Sequence, residues 1–181
     1  YPEPVLKLLH EIDQTVNGQV HTVAPISPGS RDIYLMKSLI EEAISSSQLE
    51  GASTTHRVAR EMLRTNRKPR THSERMIVNN FQAMEWVQER QTERLTPQLI
   101  RELHRVVTDG TLDQPDMAGK LRQDQDRVQV VDRAQEAVLH NPPSATELPQ
   151  RLQMLCDFAN ETIPLSVFMH PVIRAILLHF M

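Results

Sequence analysis

Ile33-Tyr34-Leu35-Met36-Lys37-Ser38-Leu39-Ile40-Glu41-Glu42-Ala43-Ile44-Ser45-Ser46-Ser47-Gln48-Leu49-Glu50-Gly51 is the stretch on which the fold turns. Ile33, Met36, Ile40, Ala43, Ile44 and Ser47 recur at the 3.6-residue spacing of one helix face, with Glu41 and Glu42 on its flank. Gly51 follows the last turn and supplies a C-cap, so the spacing predicts a helix over about 31–51. The same period extends to both sides. Upstream, Val5, Leu8, Leu9, Ile12 and Val16 form one short helical pattern bracketed by Pro2, Pro4, Pro25 and Pro28. Downstream, a helix is predicted from Thr54 or Thr55 to about Asn66, ended by Lys68-Pro69, and another from about Ser73 to Gln91. Thr96 as N-cap and Pro97 at the first helical position open a further helix, which Asp109-Gly110 closes.

Between Gly119 and Pro143 the helical period fails. Two β-prone runs, Val128 to Val131 and Ala137 to His140, flank the polar stretch 132–136 and read as a hairpin. Ser144-Ala145-Thr146-Glu147 has the form of a capping box for a helix running to about Asn160, and the last helix starts near His170-Pro171. The class is mainly α with one short hairpin. The reading divides the chain into an N-terminal helical region, 1–95, and a second region, 96–181, that includes the hairpin at 127–141.

Composition narrows the function classes. The 181 residues suffice to bury roughly 70% of the surface that the unfolded chain exposes. Aromatics at 4% and only 5 Gly argue against a β-sandwich or barrel. One cysteine, Cys156, excludes a disulfide framework or a Cys-based zinc cluster and fits a reducing, cytoplasmic compartment. The formal charge of -3 excludes a globally basic nucleic-acid binder. Arg57, Arg60, Arg64, Arg67, Lys68, Arg70 and Arg75 could form a local patch. Without interleaved aromatics or a docking motif, a solvated or ion-paired face is the favoured reading. No apolar run spans a membrane, and the eight His lack metal-ligand spacing, so no metal site is assigned. The chain opens on Tyr1 and stops inside the apolar run Ala175 to Met181, which is read as a fragment cut at both ends.

Glu50 stands out because a carboxylate beside the open carbonyls of a helix C-terminus is unfavourable by roughly 0.3 to 1 kcal/mol and wants a cation. Ser46, four residues earlier, shares its face and could bond either to Glu50 or back to the helix backbone. On physics alone, a solvated, frayed helix end with a water-facing Glu50 is the favoured reading.

The run Glu42 to Gly51 resembles the inhibitory helix of Fic-family proteins, whose pattern is Ser or Thr, three residues, Glu, then Gly or Asn. Ser46, Glu50 and Gly51 fill it. Leu103-His104, Gly119-Lys120-Leu121-Arg122, His140-Asn141-Pro142-Pro143 and His170-Pro171 through His179 resemble successive landmarks of the Fic core, in the same order. The resemblance covers roughly 31–181. It implies a Fic-like helical bundle and a parent protein that transfers AMP from ATP, with Mg²⁺, to a Ser, Thr or Tyr hydroxyl of a target protein. Glu50 would be the brake, pairing with the second Arg of the family's signature. The hairpin would be a flap on which the target lies as an added strand, with Val128, Val130, Val131, Val138, Leu139 and His140 as candidates; a hairpin that only covers the core is the plainer alternative. The signature His-x-Phe-x-(Asp/Glu)-Gly-Asn-Gly-Arg-x-x-Arg is absent from the chain and is expected after Met181. The 181 residues alone are therefore expected to be inactive, with no catalytic residue among them. A helical nucleic-acid-binding or protein-interaction module without catalysis is the competing class, and homo-oligomerisation is left open.

Overall fold

The computed structural model describes residues 1–15, 28–126, 128–132, 137–162 and 168–181. Among them are seven α-helices: α1 (Glu3–Thr15), α2 (Pro28–Leu49), α3 (His56–Thr65), α4 (His72–Glu89), α5 (Pro97–Val107), α6 (Leu148–Ala159) and α7 (Pro171–Phe180). The hairpin is formed by β1 (Val130–Asp132) and β2 (Ala137–His140). The architecture is mainly α with one small antiparallel pair. Within the predicted segments, Val16, Arg127, the turn residues 133–136 and Val167 lie outside the described residues.

The centre of the packing is α4, which lies against α2 on one side and α5 on the other; α6 then joins α5 to α7. Ile40 and Ile44 of α2, Ala52, Ala59 and Met62 of the α3 region, and Ile77 of α4 form one buried cluster, edged by Leu63, Met76, Val78 and Phe81. Ile44, Met62 and Ile77 are fully buried, each contributing about 1.5 to 3 kcal/mol relative to an exposed position. Only the C-terminal half of the apolar stripe on α2 meets this core. Ile40, Ala43, Ile44 and Ser47 are buried, whereas Ile33 (60%) and Met36 (43%) are exposed. Helical spacing reports which residues share a face, but not where the opposing surface begins.

Buried and half-buried amides tie the helices together. Asn79, 1% exposed, donates from Nδ2 to the carbonyls of Val107 (3.0 Å) and Asp109 (2.7 Å), joining α4 to the open end of α5. Asn80 next to it donates to Ser47 Oγ (3.3 Å) and the Ala43 carbonyl (3.5 Å), joining α4 to α2. Asn160 bonds both the N-H and the carbonyl of Leu95 (2.9 and 2.7 Å), fixing the end of α6 beside the loop that enters α5. Thr96 caps α5 by accepting from the Leu99 N-H at 3.1 Å, as predicted.

Three local expectations change. Helix α3 ends at Asn66, where its end is predicted, but the residue that closes it is Asn66 itself, in the left-handed conformation (φ 49°) with local hydrogen bonds, and not Lys68-Pro69. Ser144 does not form the predicted capping box. Its Oγ accepts from the Thr146 N-H in a 3₁₀ turn, Glu147 turns to Arg151 (2.9 Å), and α6 starts at Leu148. Strand β1 starts at Val130, so Val128 precedes the strand; its N-H is taken by the Asp126 carbonyl at 2.9 Å.

Candidate functional site

The end of α2 is built to hold one shape. Gly51 has φ +97°, the Gly51 N-H donates to the Gln48 carbonyl (3.0 Å), and the Ala52 N-H donates to the Ser47 carbonyl (2.9 Å). That pair of bonds is a Schellman closure, and it needs a residue free to adopt positive φ at position 51. The loop that follows is tied back twice: Gln48 Nε2 donates to the Thr54 carbonyl (2.9 Å) and the Ser53 N-H to Ser73 Oγ (3.1 Å). Glu41, two turns earlier, accepts from Arg60 (2.8 Å) and faces His56 Nε2 (3.0 Å), clamping α2 to α3. The Arg60 guanidinium holds the Glu41 carboxyl below the usual carboxylate range.

Glu50 therefore sits on a fixed stem. It lies one residue beyond Leu49, its N-H bonds the Ser46 carbonyl (3.1 Å), and it is exposed. Among the described residues its carboxylate makes no hydrogen bond or ion pair. Ser46 is half-buried and donates from Oγ to Glu42 Oε1 at 2.6 Å, not to Glu50. Helical side chains lean toward the N-terminus, so a short hydroxyl reaches the residue one turn before it. Ser46, Glu50 and Gly51 are thus together at one helix end, with Ser46 turned away from the carboxylate.

The hairpin candidates form the second set. Val130 pairs with His140, Val131 with Val138 and Asp132 with Ala137, with an irregularity between Val130 and Val131. Val128, Val130 (53%), Val131, Val138, Leu139 (66%) and His140 are all exposed, so these side chains do not cover the core. The sheet has two strands, which leaves the outer edges of both without a ladder partner among the described residues. The strands pack chiefly on each other, and the end of α2 packs on α3 and α4, so the two candidate sets are not brought into one contact surface.

What holds the hairpin is the set of segments around it. His104 Nδ1 accepts from the Gly119 N-H (2.8 Å), which places the ring proton on Nε2, and Arg101 Nε donates to the Gly119 carbonyl (2.8 Å). Both sides of Gly119 are therefore gripped by α5. Its φ is +73°, and a Cβ there would lie 2.7 Å from the Arg101 carbonyl oxygen, so only glycine fits. Arg122 then donates to the Pro143 carbonyl, joining the segment that enters the hairpin to the one that leaves it. At the far end, His170 caps α7 by accepting from the Val172 N-H (3.2 Å) and turns Nε2 toward Asp13 of α1 (3.2 Å).

The basic face is already partly spent. Arg67 makes a two-pronged pair with Glu74 (2.8 and 3.2 Å), and the Arg70 N-H donates to the same carboxylate at 2.6 Å. Glu74 is only 6% exposed, and these bonds, that from Arg67 first, hold its carboxyl below the usual range. Arg60 is held by Glu41, and Arg75 faces Asp109 at 3.5 Å. Arg90 stacks over Trp86 at 4.4 Å, which gives that ring a structural role. Among the described residues no group of three or more His, Cys, Asp or Glu could hold a metal ion. No described helix is long and apolar enough to cross a membrane. Cys156 is buried, and burial raises its thiol pKa.

No protein-family model matches the chain, and no curated protein matches it.

Proposed function

We propose that this chain belongs to a cytoplasmic, self-inhibited protein adenylyltransferase with a Fic-like helical bundle. In this reading α2 is the inhibitory helix and the hairpin is the target-docking flap. The observation that carries it is the Glu50 carboxylate, presented on a Schellman-closed stem that α3 and α4 clamp, with no cation beside it among the described residues. A carboxylate in that position gains most from a guanidinium, with which it forms a planar two-bond pair. The brake acts if that guanidinium is the one that would otherwise hold the γ-phosphate of ATP.

In the transfer itself, the acceptor oxygen bonds to the α-phosphorus, pyrophosphate leaves, and the hydroxyl proton passes to a base. Those groups belong to the signature, which no residue of this chain supplies. The described residues offer no set of ligands that fits Mg²⁺. What this chain contributes is the position of Glu50 and the open edges of the hairpin. The bonds His104 to Gly119 and Arg122 to Pro143 further support the reading, since they join segments that carry the sequence resemblance.

The nucleic-acid alternative gains little support. Arg60, Arg67 and Arg75 face carboxylates and would have to give them up to bind phosphate. Incubating the intact protein and a lysate with an ATP analogue tagged on the adenine tests the reading. Covalent AMP on protein hydroxyls supports it, and its absence with wild-type and Glu50→Gly protein alike refutes it.

A further inference from the structure

The segment that leads from α5 toward the hairpin bonds mostly to itself. The Met117 N-H donates to the Gln114 carbonyl (3.0 Å), the Ala118 N-H to the Pro115 carbonyl (3.3 Å) and the Lys120 N-H to the Met117 carbonyl (3.0 Å). Lys120 Nζ reaches Asp116 (3.5 Å) within the same segment. Among the described residues, the hydrogen bonds that leave residues 114–120 are both at Gly119 and both to α5. The Gly119 carbonyl accepts from Arg101 Nε (2.8 Å), and the Gly119 N-H donates to His104 Nδ1 (2.8 Å). Gly119 is buried, whereas His104 is exposed, so protons from solvent reach its ring.

We propose that His104 is a proton-controlled latch: its neutral ring holds the segment that enters the hairpin against α5, and protonation releases it. An imidazole nitrogen accepts a hydrogen bond only through its lone pair, and the imidazolium carries N-H groups at both nitrogens. Protonation at Nδ1 therefore sets donor against donor across 2.8 Å, and the buried Gly119 N-H loses its acceptor. No new bond compensates. The cations at this contact are Arg101 and Arg105 of α5, and Arg105 Nε lies 3.2 Å from where a Gly119 Cβ would stand. The carboxylates of α5 and its flanks are taken by other groups: Glu102 by Gln98 (2.9 Å), Asp109 by Arg75 of α4 (3.5 Å) and Asp116 by Lys120. Among the described residues none pairs with His104, and α6 brings no ion pair to it. Three other histidines behave differently. His56 faces Glu41, His72 Nε2 faces the Thr111 carbonyl and His170 turns Nε2 to Asp13, so each keeps or strengthens a bond as the imidazolium. The latch is closed with the neutral ring and opens as pH falls through the range of about 5 to 8 in which histidine takes up its proton. It concerns how the hairpin is held and stands whether or not the hairpin receives a target.

The test reads the Gly119 amide itself, by NMR hydrogen exchange on the full chain at about pH 7.5 and about pH 5.5, each rate corrected for the exchange of a free peptide at that pH. In the wild type, protection of Gly119 falls at least about 5-fold at the lower pH, the equivalent of one net hydrogen bond. His104→Asn places an acceptor, Oδ1, where Nδ1 stands but does not titrate, so its Gly119 amide is equally protected at both pH values. His104→Leu has no acceptor, and its Gly119 amide is as weakly protected at both as that of the wild type in acid. The amide of the fully buried Ile77 in α4 is the control and stays protected throughout. Wild-type protection of Gly119 that does not change with pH, or that falls equally in His104→Asn, overturns the latch. So does protection as low in His104→Asn as in His104→Leu, since an acceptor at that place would then hold nothing. A fall shared by Ile77 also overturns it, because it reports unfolding of the core rather than release of one segment.

Discussion

Gly119→Ala should be among the most damaging single-methyl additions in this chain. The residue holds φ +73°, and the new Cβ would lie 2.7 Å from the Arg101 carbonyl oxygen, 3.2 Å from Arg105 Nε and 3.3 Å from Arg105 Cβ. The Arg105 side chain can swing aside, but the carbonyl belongs to the backbone of α5 and cannot. The left-handed conformation alone costs an L-residue about 1 to 2 kcal/mol. Relieving the clash pushes the loop away from α5 and forfeits the 2.8 Å bond from Arg101, worth about 1.5 to 3 kcal/mol as a charged donor. Together these give about 2.5 to 5 kcal/mol, or a fall in Tm of roughly 10 °C for a chain of this length. Gly51→Ala is the internal comparison. Gly51 also has positive φ (+97°), but nothing lies within 4 Å of the new methyl, so only the conformational cost of about 1 to 2 kcal/mol applies. Thermal unfolding followed by far-UV circular dichroism separates the two. Equal losses, or a larger loss at Gly51, would refute the argument that α5 grips the loop at Gly119.

Glu74→Gln should cost about 2 kcal/mol at neutral pH, because it weakens a largely buried pair with Arg67. The folded-state pKa of Glu74 is lowered, so its contribution is full above the unfolded value of about 4.3 and is lost as pH falls through the lowered folded value. Urea midpoints taken across acid pH should therefore show wild type and variant converging as pH drops below about 4, and a constant gap would contradict this. Asn79→Asp should destabilise more than Asn79→Ala, since a carboxylate would face the two carbonyls to which the amide now donates; equal Tm values would place the Asn79 contribution elsewhere.

The helices were legible because the chain marks their ends: Thr96-Pro97 for α5, Gly51 for α2 and His170-Pro171 for α7 all stand at observed boundaries. The misses have physical causes. Thr71-His72-Ser73-Glu74 carries the spacing of a capping box. Thr71 does cap α4, accepting from the Glu74 N-H at 3.1 Å, while the Glu74 carboxylate reaches the Arg70 N-H instead of that of Thr71. The capping residue thus sets the start of α4 at His72, one residue before the Ser73 that periodicity alone predicts. Asn79 gave no signal, since an amide in a helix reads as outward-facing until the open end of another helix is seen opposite it. The exposure of the hairpin valines was equally hidden, because alternation does not say whether a second layer covers the strands. At the candidate brake, the pattern located Ser46, Glu50 and Gly51, and helix geometry decided that Ser46 serves Glu42.

The most direct measurement compares AMP transfer by the intact protein and its Glu50→Gly variant, using tagged ATP and equal amounts of folded protein. Glu50 is exposed and has no partner among the described residues, so the substitution leaves the core of α2 untouched. If Glu50 is the brake, labelling rises at least several-fold in the variant. Transfer that is present in the wild type and unchanged by Glu50→Gly contradicts the assignment.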